Sequence, residues 1–237
     1  SGTDLAVTAA ERSPFSGGKR VLVDGLLNRA QTRGIAIAFY AAAICVGLAI
    51  TLWRDERVLN LGLIGMALAW YYHGGSLRLS YRGLGELAVA LSYGPLVVCG
   101  TYLVQTGEFS PVVFNAACAL GILVAAFLWI NEFPDYRADR GAGKRNLVVR
   151  LGLERASVCY GALLTAGYLW LALTVWHYPG NDGLLWGWTG ALPAAFSTWR
   201  LLTCRGSIAR MIPAQAAALA SFVLMAAGSG LGYLFSQ

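Results

Sequence analysis

Long apolar stretches alternate with short polar loops along almost the whole chain. Seven of these stretches reach the length of about 20 residues that a helix needs to cross a bilayer. They cover residues 34–53, 58–75, 85–105, 111–130, 156–176, 183–202 and 213–236. Residues 1–33 are polar and rich in turn-forming residues, with a short surface helix predicted in their second half. The pattern predicts one all-α domain over residues 1–237, a bundle of membrane-spanning helices.

The composition agrees with a membrane protein. Hydrophobic residues make up 57% of the 237 residues and charged residues only 13%, and the mean hydropathy of +0.57 is too high for an ordinary soluble domain. In a soluble protein, the net charge of +6 would suggest nucleic acid as a partner. In a membrane protein, however, the distribution of Lys and Arg among the loops matters more than their sum. We therefore expect a lipid bilayer around the protein and no nucleic-acid partner.

Basic residues are concentrated in every second loop. Of the 18 Lys and Arg residues, only Arg54 and Arg57 fall in the other set of loops. Because loops rich in Lys and Arg remain in the cytoplasm, the loops at 1–33, 71–86 and 131–155 are predicted to be cytoplasmic and the carboxyl terminus to lie outside. We expect an integral protein of a bacterial inner, cytoplasmic membrane.

The strongest chemical signal lies in the loop at 131–155. Asn131, Asp135 and Asp139 are four residues apart, so a continuous helix would carry them on one face with about 6 Å between successive members. Acidic side chains at the end of a membrane span are costly to desolvate and usually face a partner or a polar cavity. The basic residues that follow are Arg140, Lys144, Arg145 and Arg150. Carboxylates beside cations are typical of a site for a magnesium-bridged phosphate group.

The two other cytoplasmic loops carry polar groups to the same membrane face. The first contains Asp4, Arg12 and Lys19, and the second reads YYHGGSLRLSYRGLGE. Three such loops can enclose a polar pocket above the bundle. Proline within a helix bends its axis, so we expect Pro134 to turn Asp135 toward this pocket.

These segments resemble the UbiA superfamily of intramembrane aromatic prenyltransferases. NEFPDYRADRGAGKRNLVVRLG is similar to the family's second aspartate-rich motif, a D-x3-D pattern preceded by Asn and followed by Gly-Lys and a Leu-rich start of the next span. SGTD, followed by SPFSGGKRVLVDGLL, resembles the end of the family's first motif and the loop after it. YYHGG with LSYRGLGE resembles the tyrosine-bearing loop, most of all in the branch that prenylates 1,4-dihydroxy-2-naphthoate for menaquinone.

The resemblance implies a longer protein than the chain given. Family members have nine spans, and their first motif begins at the end of the second span. This chain starts at what resembles the last Asp of that motif, Asp4. We therefore expect seven of nine spans here, with the first two spans and the leading Asn and Asp ligands absent, and a fragment that does not catalyse alone.

The resemblance also implies Mg²⁺ as the cofactor and assigns the site residues. The metal ligands fall on Asp4, Asn131, Asp135 and Asp139. The residues that bind the diphosphate are Arg12, Lys19, Lys144 and Arg78. The catalytic residues are Asp135, Asp139 and Tyr72. Tyr72 matches the loop tyrosine of the family, and Arg78 replaces the charge of a lysine that is often found at the position of Ser76.

The implied reaction is the transfer of a polyprenyl group. Mg²⁺ and basic residues stabilise the diphosphate that leaves a polyprenyl diphosphate, and an electron-rich aromatic acceptor attacks the allylic cation. The favoured acceptor is 1,4-dihydroxy-2-naphthoate; 4-hydroxybenzoate, homogentisate or a tetrapyrrole are alternatives. A secondary transporter is a further alternative, although its acids would lie near the bilayer midplane.

Three residues have open roles at this stage. His73 fits either simple packing at a span end or contact with the acceptor. Glu86 fits either stabilisation of a helix amino terminus or acceptor binding. Glu132 fits an additional metal ligand, although a continuous helix would place it away from the line of Asp135 and Asp139.

Overall fold

The computed structural model describes residues 14–15, 21–204 and 207–236. Within these ranges the regular secondary structure is helical, without β-strands, so the all-α prediction is confirmed. The α-helices there are α1 (Arg29–Trp53), α2 (Arg57–His73), α3 (Gly85–Leu91), α4 (Val97–Thr106), α5 (Pro111–Asn131), α6 (Tyr136–Gly141), α7 (Leu147–His177), α8 (Ala191–Cys204) and α9 (Ile208–Phe235).

Two segments of other helical types extend these helices. A π-helical turn, Ser92–Leu96, joins α3 to α4, and it contains Pro95, which has no N–H for a regular α-helical bond. A 3₁₀ segment, Asp182–Gly190, leads directly into α8. A bend divides α7 at Gly152, whose φ of 77° is a conformation that side-chain-bearing residues rarely adopt.

Membrane character is confirmed by five helical stretches that are long and apolar enough to cross a bilayer. They are Arg29–Trp53, Gly85–Thr106, Pro111–Asn131, Leu147–His177 and Ala209–Phe235. Helix α2 has 17 residues and would be about 26 Å long, which is short of a hydrocarbon core of about 30 Å. The stretch from 182 to 204 is divided between a 3₁₀ segment and α8. The count of seven spans therefore stays a prediction.

The packed core lies among α5, α7, α8 and α9, and its polar groups are paired. The indole N–H of Trp129 donates to the carbonyl of Ala156 at 3.1 Å. The hydroxyl oxygens of Tyr160 and Ser197 are 2.6 Å apart, and Ser197 donates to the carbonyl of Ala214 at 2.7 Å. Because unpaired polar groups are costly in an apolar interior, these bonds hold the helices in one arrangement. Helices α1 and α2 lie outside this core and have no buried residue.

Glycines allow two close backbone crossings. Gly94, in the π-helical turn, faces α5, and a Cβ atom added there would lie 2.5 Å from the carbonyl oxygen of Ala117. Gly183, in the 3₁₀ segment, packs on Gly232 of α9, and a Cβ atom at either position would overlap the backbone of the other. Small residues at such crossings are how membrane helices approach closely.

Candidate active site

The helix predicted to carry Asn131, Asp135 and Asp139 on one face is interrupted. Helix α5 ends at Asn131, residues 132–135 form turns, and α6 begins after Asp135. Pro134 favours the break, because it has no N–H to donate and its ring restricts the preceding residue. The prediction of one continuous helical face is therefore wrong. Asp135 and Asp139 nevertheless remain one turn apart, since the N–H of Asp139 donates to the carbonyl of Asp135 at 2.8 Å.

Asp139 is firmly held at the centre of the site. Its side chain is buried, and its Oδ2 atom accepts hydrogen bonds from Lys144 Nζ and from Asn146 Nδ2, both at 2.8 Å. Asn146 is also the amino-terminal cap of α7, where its Oδ1 accepts from the N–H of Val149 at 2.8 Å. The structure thus brings together two predicted site residues, Asp139 and Lys144, and adds Asn146, which the motif did not single out.

The ammonium group of Lys144 lies among carboxylates. Burial alone would lower the pKa of Lys144, but the charge of Asp139 and the hydrogen bond to it, with smaller contributions from Glu132 and Asp135, raise that pKa above its usual value. Lys144 therefore carries its positive charge at neutral pH. A fixed cation surrounded by acids can bind the oxygens of a metal-bound diphosphate.

Two glutamates also belong to this cluster. Glu86 and Glu132 are both buried, and Glu86 Oε1 accepts from the N–H of Leu147 at 2.7 Å, at the start of α7. Burial, and then the charge of Glu86, raise the pKa of Glu132 well above its usual value. The charge of Asp139 acts on Glu132 as well. Because the helix stops at Asn131, the geometry that placed Glu132 away from the aspartates no longer applies.

The second and third predicted loops are in contact. The N–H of Arg145 donates to the carbonyl of Tyr81 at 3.0 Å, and the guanidinium of Arg150 donates to the carbonyl of Arg82 at 2.6 Å. Gly83 makes room for this contact, because a Cβ atom there would lie 3.1 Å from Nε of Arg150. The loop that carries the tyrosine is thereby fixed against the aspartate-rich segment.

Tyr72 lies beside the acidic cluster, near the end of α2. Its ring lies at the start of α3, because a Cβ atom added to Gly85, the residue before Glu86, would be 3.5 Å from Cε2 of Tyr72. Its ring meets the ring of His73 edge to face, with centroids 4.6 Å apart. Its carbonyl accepts from the buried hydroxyl of Ser80 at 2.8 Å. The predicted catalytic tyrosine therefore lies at the start of α3, where Glu86 belongs to the acidic cluster, and Ser80 is a further residue that sequence reasoning missed.

The remaining predicted residues have different surroundings. Arg78 is exposed, and its guanidinium carbon lies 3.8 Å from the ring centroid of Tyr81. Asn131 Oδ1 accepts from Nε2 of the buried Gln215 at 3.0 Å, so α9 also contacts the motif. An amide side chain within an otherwise apolar stretch is the sequence signal by which Gln215 could have been found. Three predicted residues lie outside the described ranges: Asp4, Arg12 and Lys19.

The oxygen donors of this site fit a hard cation. Within the described ranges, no three His, Cys, Asp or Glu side chains form a metal-binding group. The predicted metal ligands among the described residues are Asp135, Asp139 and Asn131. Carboxylate and amide oxygens are ligands that Mg²⁺ accepts, and Mg²⁺ usually takes few protein ligands and completes its shell with water and substrate phosphates. This donor set is compatible with a metal that the substrate helps to bind.

The model of the UbiA prenyltransferase family matches residues 17–210. The chain belongs to the UbiA prenyltransferase family. The match includes every site residue of the second and third loops, and it confirms the family predicted from the motifs.

Several curated relatives of this UbiA protein carry names that refer to naphthoate or naphthoquinone prenylation. It is 37% identical over 139 residues to the 1,4-dihydroxy-2-naphthoate octaprenyltransferase of Mycobacterium tuberculosis. This alignment covers 58% of the chain and 48% of that relative. It is 31% identical over 196 residues to the Escherichia coli protein of the same name, covering 80% and 62%. It is 34% identical over 139 residues to the 2-carboxy-1,4-naphthoquinone phytyltransferase of Synechocystis sp., covering 58% and 45%. The chain thus spans about half the length of the first and third relatives, and no solved structure matches it.

Proposed function

We propose that this UbiA family protein transfers a polyprenyl group from a polyprenyl diphosphate to an aromatic acceptor. The observation that carries the proposal is the buried cluster in which Asp139 holds Lys144 and Asn146, with Asp135 one turn away. Such a cluster joins metal-binding acids to a cation that can bind diphosphate. We favour 1,4-dihydroxy-2-naphthoate as the acceptor because two relatives are named 1,4-dihydroxy-2-naphthoate octaprenyltransferase.

The proposal includes Mg²⁺ and a defined membrane orientation. Members of the UbiA family generally depend on a divalent metal, and we assign Mg²⁺ to Asp4, Asn131, Asp135 and Asp139. When bound, Mg²⁺ would offset the negative charge of the departing diphosphate. We place the protein in a bacterial inner membrane, with the three site-bearing loops in the cytoplasm and the carboxyl terminus outside, because of the distribution of Lys and Arg.

The chain's own residues then have separate tasks. Lys144, oriented by its bond to Asp139, presents an ammonium group to the diphosphate, and its burial strengthens that attraction. Arg12, Lys19 and Arg78 add positive charge. The ring of Tyr72 can stabilise the allylic cation through its π face, an effect of about 2 kcal/mol when water is excluded. The burial of the neighbouring Glu86 and Glu132 agrees with a site from which water is excluded.

The direct test uses washed membranes that contain the full-length protein. We expect Mg²⁺-dependent release of diphosphate together with a prenylated aromatic product, identified by mass spectrometry from a panel of acceptors. Product formation on 1,4-dihydroxy-2-naphthoate alone supports the favoured acceptor, and product on another acceptor corrects it. Movement of substrate across the membrane of sealed vesicles, without formation of a new bond, would show that the protein is a transporter and not an enzyme.

An apolar cavity suggests where the polyprenyl tail lies. It has a volume of about 450 Å³ and lies between α4, α5 and α9. Its lining includes Val97, Tyr102, Ala116, Leu120, Met225 and Gly230. Such a surface offers an isoprenoid chain apolar contacts and few polar groups, as apolar ligands require. We assign it to the part of the tail far from the diphosphate.

The substitution Gly230→Leu tests this assignment. A Cβ atom at Gly230 meets no atom within 4 Å, so leucine can enter the cavity without moving the backbone. We expect long polyprenyl diphosphates to lose roughly tenfold in kcat/KM relative to short ones, because the leucine fills space that only a long tail uses. Ala227→Leu is the matched control, since Ala227 is exposed on the same helix and does not line the cavity. Equal losses of kcat/KM for long and short polyprenyl diphosphates would show that the tail does not bind in this cavity.

A further inference from the structure

The hydroxyl of Ser80 determines which nitrogen of His73 carries hydrogen. The Oγ atom of Ser80 donates to the carbonyl oxygen of Tyr72 at 2.8 Å and lies 2.9 Å from Nδ1 of His73. A carbonyl oxygen can only accept, so the single hydroxyl proton of Ser80 is used there. Nδ1 of His73 must then donate to Oγ, since two lone pairs would otherwise face each other.

This arrangement leaves Nε2 of His73 as an acceptor. A neutral imidazole with hydrogen on Nδ1 has a lone pair on Nε2. Ser80 is 2% exposed and so keeps its position, whereas the imidazole of His73 is accessible. Within the part of the chain that the structure describes, the hydrogen bond of the His73 ring is the one to Ser80.

The imidazole of His73 contacts the ring of Tyr72, the predicted catalytic tyrosine. The two ring centroids are 4.6 Å apart. The ring of Tyr72 lies against Gly85, the residue before Glu86, because a Cβ atom added to Gly85 would be 3.5 Å from Cε2 of Tyr72. The aromatic acceptor must approach the carbon that loses the diphosphate, which places it beside the same cluster. The favoured acceptor, 1,4-dihydroxy-2-naphthoate, carries hydroxyl groups on its aromatic ring, and such a hydroxyl is a good hydrogen-bond donor.

We propose that Nε2 of His73 accepts a hydrogen bond from the phenolic hydroxyl of the aromatic acceptor, and that Ser80 is the positioning residue that fixes the required tautomer. This inference rests on the proposed prenyl transfer. The bond orients the acceptor ring, and it polarises the O–H group so that the ring becomes a better nucleophile. The proton stays on the hydroxyl oxygen in this step.

Two substitutions of His73 separate this role from packing. In His73→Asn the amide nitrogen occupies the position of Nδ1 and keeps the bond to Ser80, but nothing replaces Nε2. In His73→Gln the amide oxygen can occupy the position of Nε2. We expect His73→Asn to raise the KM for the acceptor about tenfold and to leave the KM for the polyprenyl diphosphate unchanged. His73→Gln should recover much of the loss.

An acceptor whose hydroxyl is methylated provides the second measurement. With the unmodified full-length enzyme, methylation should cost about tenfold in kcat/KM, whereas with His73→Asn it should cost almost nothing, because the same hydrogen bond is already missing. Ser80→Ala should raise the acceptor KM in the parent enzyme but not in the His73→Asn background.

The outcomes distinguish this inference from the proposed function. An active enzyme in which His73→Asn leaves the acceptor KM unchanged, raises both KM values equally, or keeps the full effect of methylation would overturn the role of His73 alone. Membranes of the parent protein that prenylate no acceptor would overturn the proposed function itself.

Discussion

Asp135→Asn should remove most prenyl transfer and leave the bundle folded. Asparagine has nearly the same shape as aspartate but carries no charge. The substitution therefore weakens the binding of Mg²⁺ and the stabilisation of the departing diphosphate. We expect kcat to fall by about 100-fold or more. The fold should persist because the helical bond from Asp139 uses the backbone carbonyl of Asp135, which the substitution keeps. Turnover with Mg²⁺ and thermal unfolding in detergent measure the two effects.

The control for this substitution is Asp182→Asn. Asp182 is an exposed acid in the 3₁₀ segment before α8 and belongs to a different loop from the aspartate-rich motif. It should keep normal turnover and the normal dependence on Mg²⁺ concentration. Near-normal turnover of Asp135→Asn, in a protein as stable as its parent, would show that the metal assignment is wrong.

Gly232→Ala should destabilise the bundle strongly. A methyl group at Gly232 would overlap the backbone of Gly183, so the 3₁₀ segment and α9 would have to separate. Overpacking of this kind costs about 1–3 kcal/mol, and here the clash involves backbone atoms that cannot rotate away. We expect a lower thermal unfolding midpoint and reduced recovery of protein from membranes.

Gly230→Ala is the matched control for this second prediction. It lies two residues earlier in α9, and its added Cβ atom would meet no atom within 4 Å. Replacing a helical glycine by alanine at such a site should stabilise by about 0.5–1 kcal/mol. Equal stability changes for the two variants would mean that Gly183 and Gly232 are not in contact in the membrane.

The helical membrane architecture could be predicted because its signals are local. Apolar length and the placement of Lys and Arg need no knowledge of tertiary contacts. The break between Asn131 and Asp135 could not be predicted in the same way. A spacing of four residues is typical of a continuous helix, and Pro134 is compatible with either a bend or an end. The surrounding packing decides between the two, and it also buries Glu132.

The partners of the site residues depend on the tertiary fold. Asn146 could be expected as a helix cap before a Leu-rich run, but its bond to Asp139 exists only because the intervening loop folds back. Gln215 contacts Asn131 across 84 positions of sequence. Ser80 reaches the carbonyl of Tyr72 through a tight loop. The motif therefore named the charged groups that we assign to the site, whereas their neutral hydrogen-bond partners required the structure.

The bend at Gly152 separates two parts of α7 that make different contacts. Asn146 and Leu147 lie before the bend and contact Asp139 and Glu86, while the longer part, residues 153–177, follows it. A glycine hinge between them can absorb small tilts of the long part before they reach the acids. We therefore expect changes in membrane thickness to alter the stability of the protein more than the geometry at Asp139.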